Sequence, residues 1–79
     1  MIEVKVKLFG HLRKYLPDDK ETEASIQLEE GSAVKDLFNK LELPVDEVKL
    51  VYVNNRRVPE EKELNTGDQV GVFPPIAGG

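Results

Sequence analysis

The chain contains no cysteine. That absence removes disulfides, a thiolate nucleophile and any side chain able to hold sulfur as a persulfide. Only one histidine is present, so a zinc site would have to be built almost entirely from carboxylates, and no ligand spacing for one occurs; no metal is expected. No run approaches the roughly 20 apolar residues of a membrane span. The opening residues Met1-Ile2-Glu3-Val4-Lys5 alternate charge instead of forming an apolar signal segment, so no membrane association and a cytoplasmic location are expected. Basic charge in excess is also missing. Lys and Arg number 11 against 15 Asp and Glu, a formal net charge of -4, which argues against a nucleic-acid partner because phosphates call for a basic face. A basic patch on a partner protein is the natural complement.

What the chain does have is enough for one small domain. Its 79 residues are 39% hydrophobic and 33% charged, and a chain near this size buries only about 60% of the surface its unfolded state exposes. Any function therefore has to use the surface or an end. No internal repeat or low-complexity segment interrupts the chain.

Ile2, Val4, Val6 and Leu8 alternate with charged residues, which predicts a strand with one buried face running to about Phe9. Gly10 breaks it. Leu12, Tyr15 and Leu16 then allow one or two helical turns before Pro17. Ala24, Ile26 and Leu28 alternate in a second strand, closed by the turn Glu29-Glu30-Gly31. Ser32 is the expected N-cap of a helix whose apolar residues Val34, Leu37, Phe38 and Leu41 follow at i, i+3, i+4, i+7. The helix should end before Pro44, and a short irregular connection over 45–47 leads to a third strand, Val48 to Val53. Asn54-Asn55 suits the two positive-φ positions of a tight hairpin turn, so a short return strand begins at Arg56-Arg57-Val58 and Pro59 limits it. Gly67 is expected in a left-handed turn before the last strand, Gln69 to Phe73.

The predicted class is α+β, a mixed sheet of four to five strands covered by one main helix. A right-handed crossover through that helix lays the first and last strands side by side and parallel at the centre of the sheet. This is the β-grasp, or ubiquitin-like, arrangement. It makes residues 1–73 the domain and 74–79 a flexible Gly-Gly tail that leaves from the end of a central strand. Pro74 and Pro75 lack a backbone N–H and hold φ near the polyproline value, so the segment extends no sheet and starts no helix interior. Ala77, Gly78 and Gly79 add almost no bulk. At about 3.1 Å per residue the tail could carry the Gly79 carboxylate roughly 19 Å from the body. A frayed terminus is the competing reading.

Several stretches match a known family: Leu8-Phe9-Gly10 with Leu12-Arg13, the helix opening at Ser32, Val53-Asn54-Asn55, Gly67-Asp68, and above all Phe73-Pro74-Pro75-Ile76-Ala77-Gly78-Gly79. Over its whole length the chain resembles the MoaD-like branch of the MoaD/ThiS sulfur carriers, the small subunit of molybdopterin synthase. Asn55 stands where many relatives carry Gly, a substitution that Asn's tolerance of the left-handed region accommodates. The resemblance implies a chain that is not an enzyme on its own and binds no cofactor. An ATP-dependent adenylyltransferase of the ubiquitin-activating type would activate the Gly79 carboxylate, and a sulfur donor protein would convert it to a thiocarboxylate. The tail, Pro74, Pro75, Ile76, Ala77, Gly78 and Gly79, would then enter a large catalytic subunit and pass sulfur to a pterin precursor of the molybdenum cofactor. The residues suit that part: a carboxylate is a poor electrophile until its oxygen becomes a leaving group, and glycine passes through a channel that a Cβ would obstruct. Gly79 is then a reactant.

Phe73 and Pro75 are the interface candidates at the exit of the tail; for Phe73 the competing reading is packing in the core. His11 lies in a short turn with no partner nearby in sequence and reads as surface. Glu60-Glu61 and Asp18-Asp19 read as solvated faces, and Arg56-Arg57 as surface with a partner contact as the alternative. Other functions remain open beside the leading one. They are a modifier conjugated through Gly79 to lysines, a sulfur carrier for thiazole or tRNA thiolation, and an interaction module whose glycines are incidental.

Overall fold

Residues 1–17 and 23–75 are described in a computed structural model of the protein. The period-two pattern at the N-terminus becomes strand β1 (Ile2–Leu8), whose residues alternate strictly between buried and exposed. Strand β2 (Glu23–Leu28) pairs with it antiparallel, Val4 facing Ile26. Between them a 3-10 helix runs over Gly10–Tyr15 and buries Leu12. Helix α1 (Val34–Leu41) follows β2 and buries Val34, Leu37 and Phe38, the face that the i, i+3, i+4 spacing selects. A second, single-turn 3-10 helix occupies Val45–Glu47, where an irregular connection is expected from sequence. Strand β3 (Leu50–Val53), the two-residue β4 (Arg56–Arg57) and β5 (Gln69–Phe73) complete the chain. Pairing begins at Leu50 and not at Val48.

The sheet order is β2-β1-β5-β3-β4. β1 and β5 run parallel at its centre, Lys5 opposite Gln69 and Leu8 opposite Val72, as the single helical crossover requires. β3 returns antiparallel on the far side of β5. The two asparagines make the β3–β4 turn with φ of 53° and 70°, a pair of left-handed residues whose twist matches the flanking strands. Asn54 also reaches across to β5: its side-chain N–H2 donates to Asp68 at 2.9 Å, and its carbonyl accepts the Gln69 N–H at 3.0 Å.

Inward side chains of β1, β3 and β5 meet one face of α1, and the core so formed is apolar throughout, with Val4, Val6, Leu12, Val34, Leu37 and Val72 fully buried. Burying each such side chain contributes about 1.5–3 kcal/mol. The start of α1 differs from the sequence expectation. The cap is Ala33, not Ser32, and no side chain caps it. Lys62 and Glu60 instead present backbone carbonyls to the Val34 and Lys35 N–H groups at 2.9 Å each, while the Asp36 carboxylate accepts the Ala33 N–H at 2.8 Å. A loop from the far half of the chain therefore satisfies donors that a hydroxyl would otherwise have to meet. At the other end Glu42 takes a left-handed φ of 57°, and the N–H of buried Leu43 returns to the Phe38 carbonyl at 2.8 Å, which closes the last turn.

Candidate functional site

The outward phase of a strand half exposed to water is normally polar. Here it is polar at one end and aromatic at the other. On β1 the outward positions are Glu3, Lys5 and Lys7, and Phe9 continues their phase just beyond the strand. On β5 they are Gln69, Gly71 and Phe73, and on β3 Leu50 and Tyr52. Because β5 lies between β1 and β3, these residues converge on the face opposite α1. Phe9 and Phe73 stack with ring centroids 4.2 Å apart and planes 5° from parallel, and Tyr52 meets Phe73 edge-on at 5.7 Å. The Lys7 ammonium lies 5.6 Å from the centre of the Phe9 ring, within cation–π range. Gly71 floors the cluster, since a Cβ there would touch both phenyl rings at 3.6 and 3.7 Å. The result is an open groove of about 620 Å³ lined by these aromatics together with Lys5, Glu23 and Asn55.

The chain leaves β5 directly above this cluster. Phe73 is held on both sides: the Lys49 N–H donates to its carbonyl at 2.8 Å, and the Phe9 N–H donates to the neighbouring Val72 carbonyl at 3.1 Å. Pro74 then lies over Gly10. Gly10 has φ of +58°, and a Cβ on it would sit 3.0 Å from the Pro74 Cγ. Only a residue without a side chain fits there comfortably, both for its backbone and for the ring above it. Pro75 is exposed. Ile76, Ala77, Gly78 and Gly79 lie outside the described residues, as do Asp18 and Asp19.

Phe73 is thus neither a core residue nor an isolated exposed aromatic; it is half-buried in an outward-facing stack. Sequence reasoning overlooked Phe9, Leu50 and Tyr52 as members of the same surface. The available signal was phase, because each falls on the outward register of its strand. His11, read from sequence as unpartnered, places its Nε2 3.1 Å from Glu47 Oε1, and the Tyr15 hydroxyl donates to Glu47 Oε2 at 2.8 Å. The Tyr15 hydrogen bond is the main reason the Glu47 carboxyl is held below its ordinary range; burial opposes it as the next largest effect, and His11 and then Lys14 add smaller contributions in the same sense as Tyr15. The same bond raises the Tyr15 hydroxyl. Arg56, Arg57, Glu60 and Glu61 are exposed. Among the described residues no group of three or more His, Cys, Asp or Glu is placed to hold a metal ion, and no helix is long and apolar enough to cross a membrane.

A mixed five-stranded sheet with parallel terminal strands at its centre, one covering helix and a tail rooted on the central strand defines the β-grasp class. Residues 6–79 match the ThiS family model, and the chain belongs to the ThiS family. Among solved structures it is similar to a protein from Pyrococcus furiosus, provisionally named molybdopterin converting factor subunit 1. That chain shares 32% identity over 96% of this chain and 100% of its own, with a TM-score of 0.75. The fold is also that of a Helicobacter pylori protein seen in a complex of subunits 1 and 2 of molybdopterin-converting factor (21% identity, 99% and 100% coverage, TM-score 0.65). Small archaeal modifier protein 1 from Haloferax volcanii shares it too (16% identity, 96% and 100% coverage, TM-score 0.77). No curated protein sequence matches.

Proposed function

We propose that the protein is a cytoplasmic sulfur carrier, the small subunit of a molybdopterin synthase, with Gly79 as its reacting terminus. An activating enzyme of the ubiquitin type would transfer AMP from ATP to the Gly79 carboxylate, releasing pyrophosphate. Sulfur delivered at the sulfide level by a donor protein would then attack the acyl carbon, the C–S bond forming as the C–O bond to AMP breaks, and leave a thiocarboxylate and free AMP. In the large subunit that sulfur would pass to a pterin precursor. This chain supplies no general acid or base to the sequence of steps. It supplies a carboxylate on a narrow stalk, and an aromatic face by which partners can orient that stalk.

The observation that carries the reading is the seat of Pro74 on Gly10, which roots the stalk at the end of the central strand beside the Phe9–Phe73 stack. Membership of the ThiS family and the likeness to the Pyrococcus protein support it. The test is intact-mass analysis after incubation with an activating enzyme, ATP and a sulfur donor. The carrier reading expects the mass to rise by the difference between sulfur and oxygen, with fragmentation placing the change on Gly79. An unchanged mass overturns it. Removing Gly78 and Gly79 should abolish the modification and leave the melting temperature unchanged. Lysine conjugates that persist in cells when the cofactor pathway is deleted would assign the protein instead to the modifiers. Sulfur transfer to a thiazole precursor or tRNA, and not to a pterin, would assign it to a different carrier pathway.

A further inference from the structure

Two surface segments far apart in the chain meet beside the root of the tail, and one carboxylate joins them. Glu47 closes the second 3-10 helix, while His11 and Tyr15 belong to the first. Each oxygen of Glu47 has its own partner, Tyr15 Oη at 2.8 Å on one and His11 Nε2 at 3.1 Å on the other, so the carboxylate is fixed in rotation as well as in distance. The same two segments grip the chain where it leaves β5. Gly10, adjacent to His11, lies beneath the Pro74 ring. Lys49, two residues past Glu47, donates its N–H to the Phe73 carbonyl. Glu47 therefore closes a loop of contacts that runs from Gly10 through Pro74 and Phe73 to Lys49 and back.

We propose that Glu47, anchored by Tyr15 and His11, is a positioning residue that fixes the direction in which the chain leaves β5 beyond Pro74. A 3-10 helix of six residues has little stability of its own, because its hydrogen bonds are few and poorly aligned. Its two ends are tied by the Leu12 N–H to the Phe9 carbonyl at 3.2 Å and by the Leu16 N–H to the Arg13 carbonyl at 3.1 Å. Buried Leu12 and Leu16 pin the segment to the core and the half-buried Tyr15 ring packs at its edge, while Glu47 ties the polar ends of His11 and Tyr15 to the 45–49 segment. Lys14, whose ammonium lies 5.3 Å from the centre of the Tyr15 ring, adds a positive charge at this junction, where Arg13, Asp46 and Lys49 also lie on the two segments. Freed from Glu47, the first 3-10 helix can tilt about Leu12, and Gly10 with Pro74 tilts with it. The consequence for adenylation rests on the carrier reading above; the geometric part does not.

The test compares Tyr15→Phe, Glu47→Ala and Glu47→Gln in the full chain. Tyr15→Phe keeps the ring and its packing, so it is expected to fold even if the alanine variant does not. Amide hydrogen exchange by NMR should show protection at Leu12 and Lys49 falling roughly two- to fivefold in Tyr15→Phe and Glu47→Ala, with the β1–β2 ladder unchanged. Glu47→Gln should retain most of the protection, because its amide oxygen still accepts from Tyr15. With activating enzyme and ATP, kcat for adenylate formation should fall by a similar factor at constant KM, since the aromatic face that partners grip is intact, and Glu47→Gln should rescue it. Protection lost evenly across the whole sheet, unchanged protection at Lys49, or an unchanged kcat would each overturn the proposal. Variants that show the expected exchange pattern, with a wild-type chain that forms no adenylate, would overturn the carrier reading and leave the clamp standing.

Discussion

Gly10→Ala tests the tail's seat directly, because two separable costs fall on one atom. The first is backbone: φ at Gly10 is +58°, and an L-residue with a Cβ in the left-handed region loses about 1–2 kcal/mol. The second is contact: the new Cβ would lie 3.0 Å from the Pro74 Cγ, well inside the roughly 3.5–4.0 Å at which carbon atoms attract. Pro74 can yield by moving away, so this term should appear chiefly as a displaced tail and add about 1 kcal/mol. The backbone term alone should lower the melting temperature by roughly 5–15 °C, using about 4–8 °C per kcal/mol for a domain of this size. Circular dichroism during thermal and urea unfolding measures both. Gly10→Asn separates them, since Asn tolerates the left-handed region and keeps the offending Cβ. It should cost less than Gly10→Ala, and in a Pro74→Ala background its cost should shrink by at least about 0.5 kcal/mol, the coupling expected of residues in contact. A Gly10→Ala protein that melts with the wild type, or strictly additive Gly10→Asn and Pro74→Ala effects, would refute the seat.

Three further outcomes are expected. Leu37→Ala, at a fully buried position on α1, should cost about 2–5 kcal/mol in urea unfolding. Phe73→Ala should cost about 1–2 kcal/mol through lost area and stacking, and a double-mutant cycle with Phe9→Ala should show coupling of about 0.5–1.5 kcal/mol. For Glu47, the folded carboxyl sits below its ordinary value of 4.5, so its contribution is complete above that value and disappears as pH falls through the lower folded one. The raised Tyr15 hydroxyl contributes below its ordinary value of 10.0 and loses that contribution as pH rises past it. The stability advantage of wild type over Glu47→Gln should therefore be a plateau at neutral pH that vanishes in acid, as melting curves across pH will show.

Features set by near neighbours in the chain were legible in the sequence. Alternation at Ile2–Leu8 placed β1, the Asn54-Asn55 pair placed the hairpin turn, and Gly67 takes the left-handed φ expected of it, at +88°. Even the parallel pairing of β1 with β5 followed, because a single helical crossover leaves little choice of topology. What escaped depends on contacts between distant segments. Ser32 has the chemistry of a cap, yet carbonyls of Lys62 and Glu60 do the capping. His11 and Tyr15 share a carboxylate 36 and 32 positions away, which no local window can register. The aromatic face needed the phase of three strands and their order in the sheet; the β1–β5 neighbourhood was legible, but the place of β3 beside β5, which brings Tyr52 to Phe73, was not.

The pairing of β1 with β5 also has a kinetic side. Lys5 meets Gln69 and Leu8 meets Val72, so the middle of the sheet is made from the two most distant parts of the chain. Such contacts carry the largest loop-closure entropy and form late. The β1–β2 hairpin and α1 can assemble from nearby residues; the central ladder has to wait for nearly the whole domain. Phe73 meets Phe9, and Pro74 meets Gly10, only when that ladder closes. The exit of the tail is therefore the last part of the surface to become what a partner would recognise, and a partner that grips the Phe9–Phe73 stack would select finished molecules over unfolded or half-folded ones without any separate proofreading step.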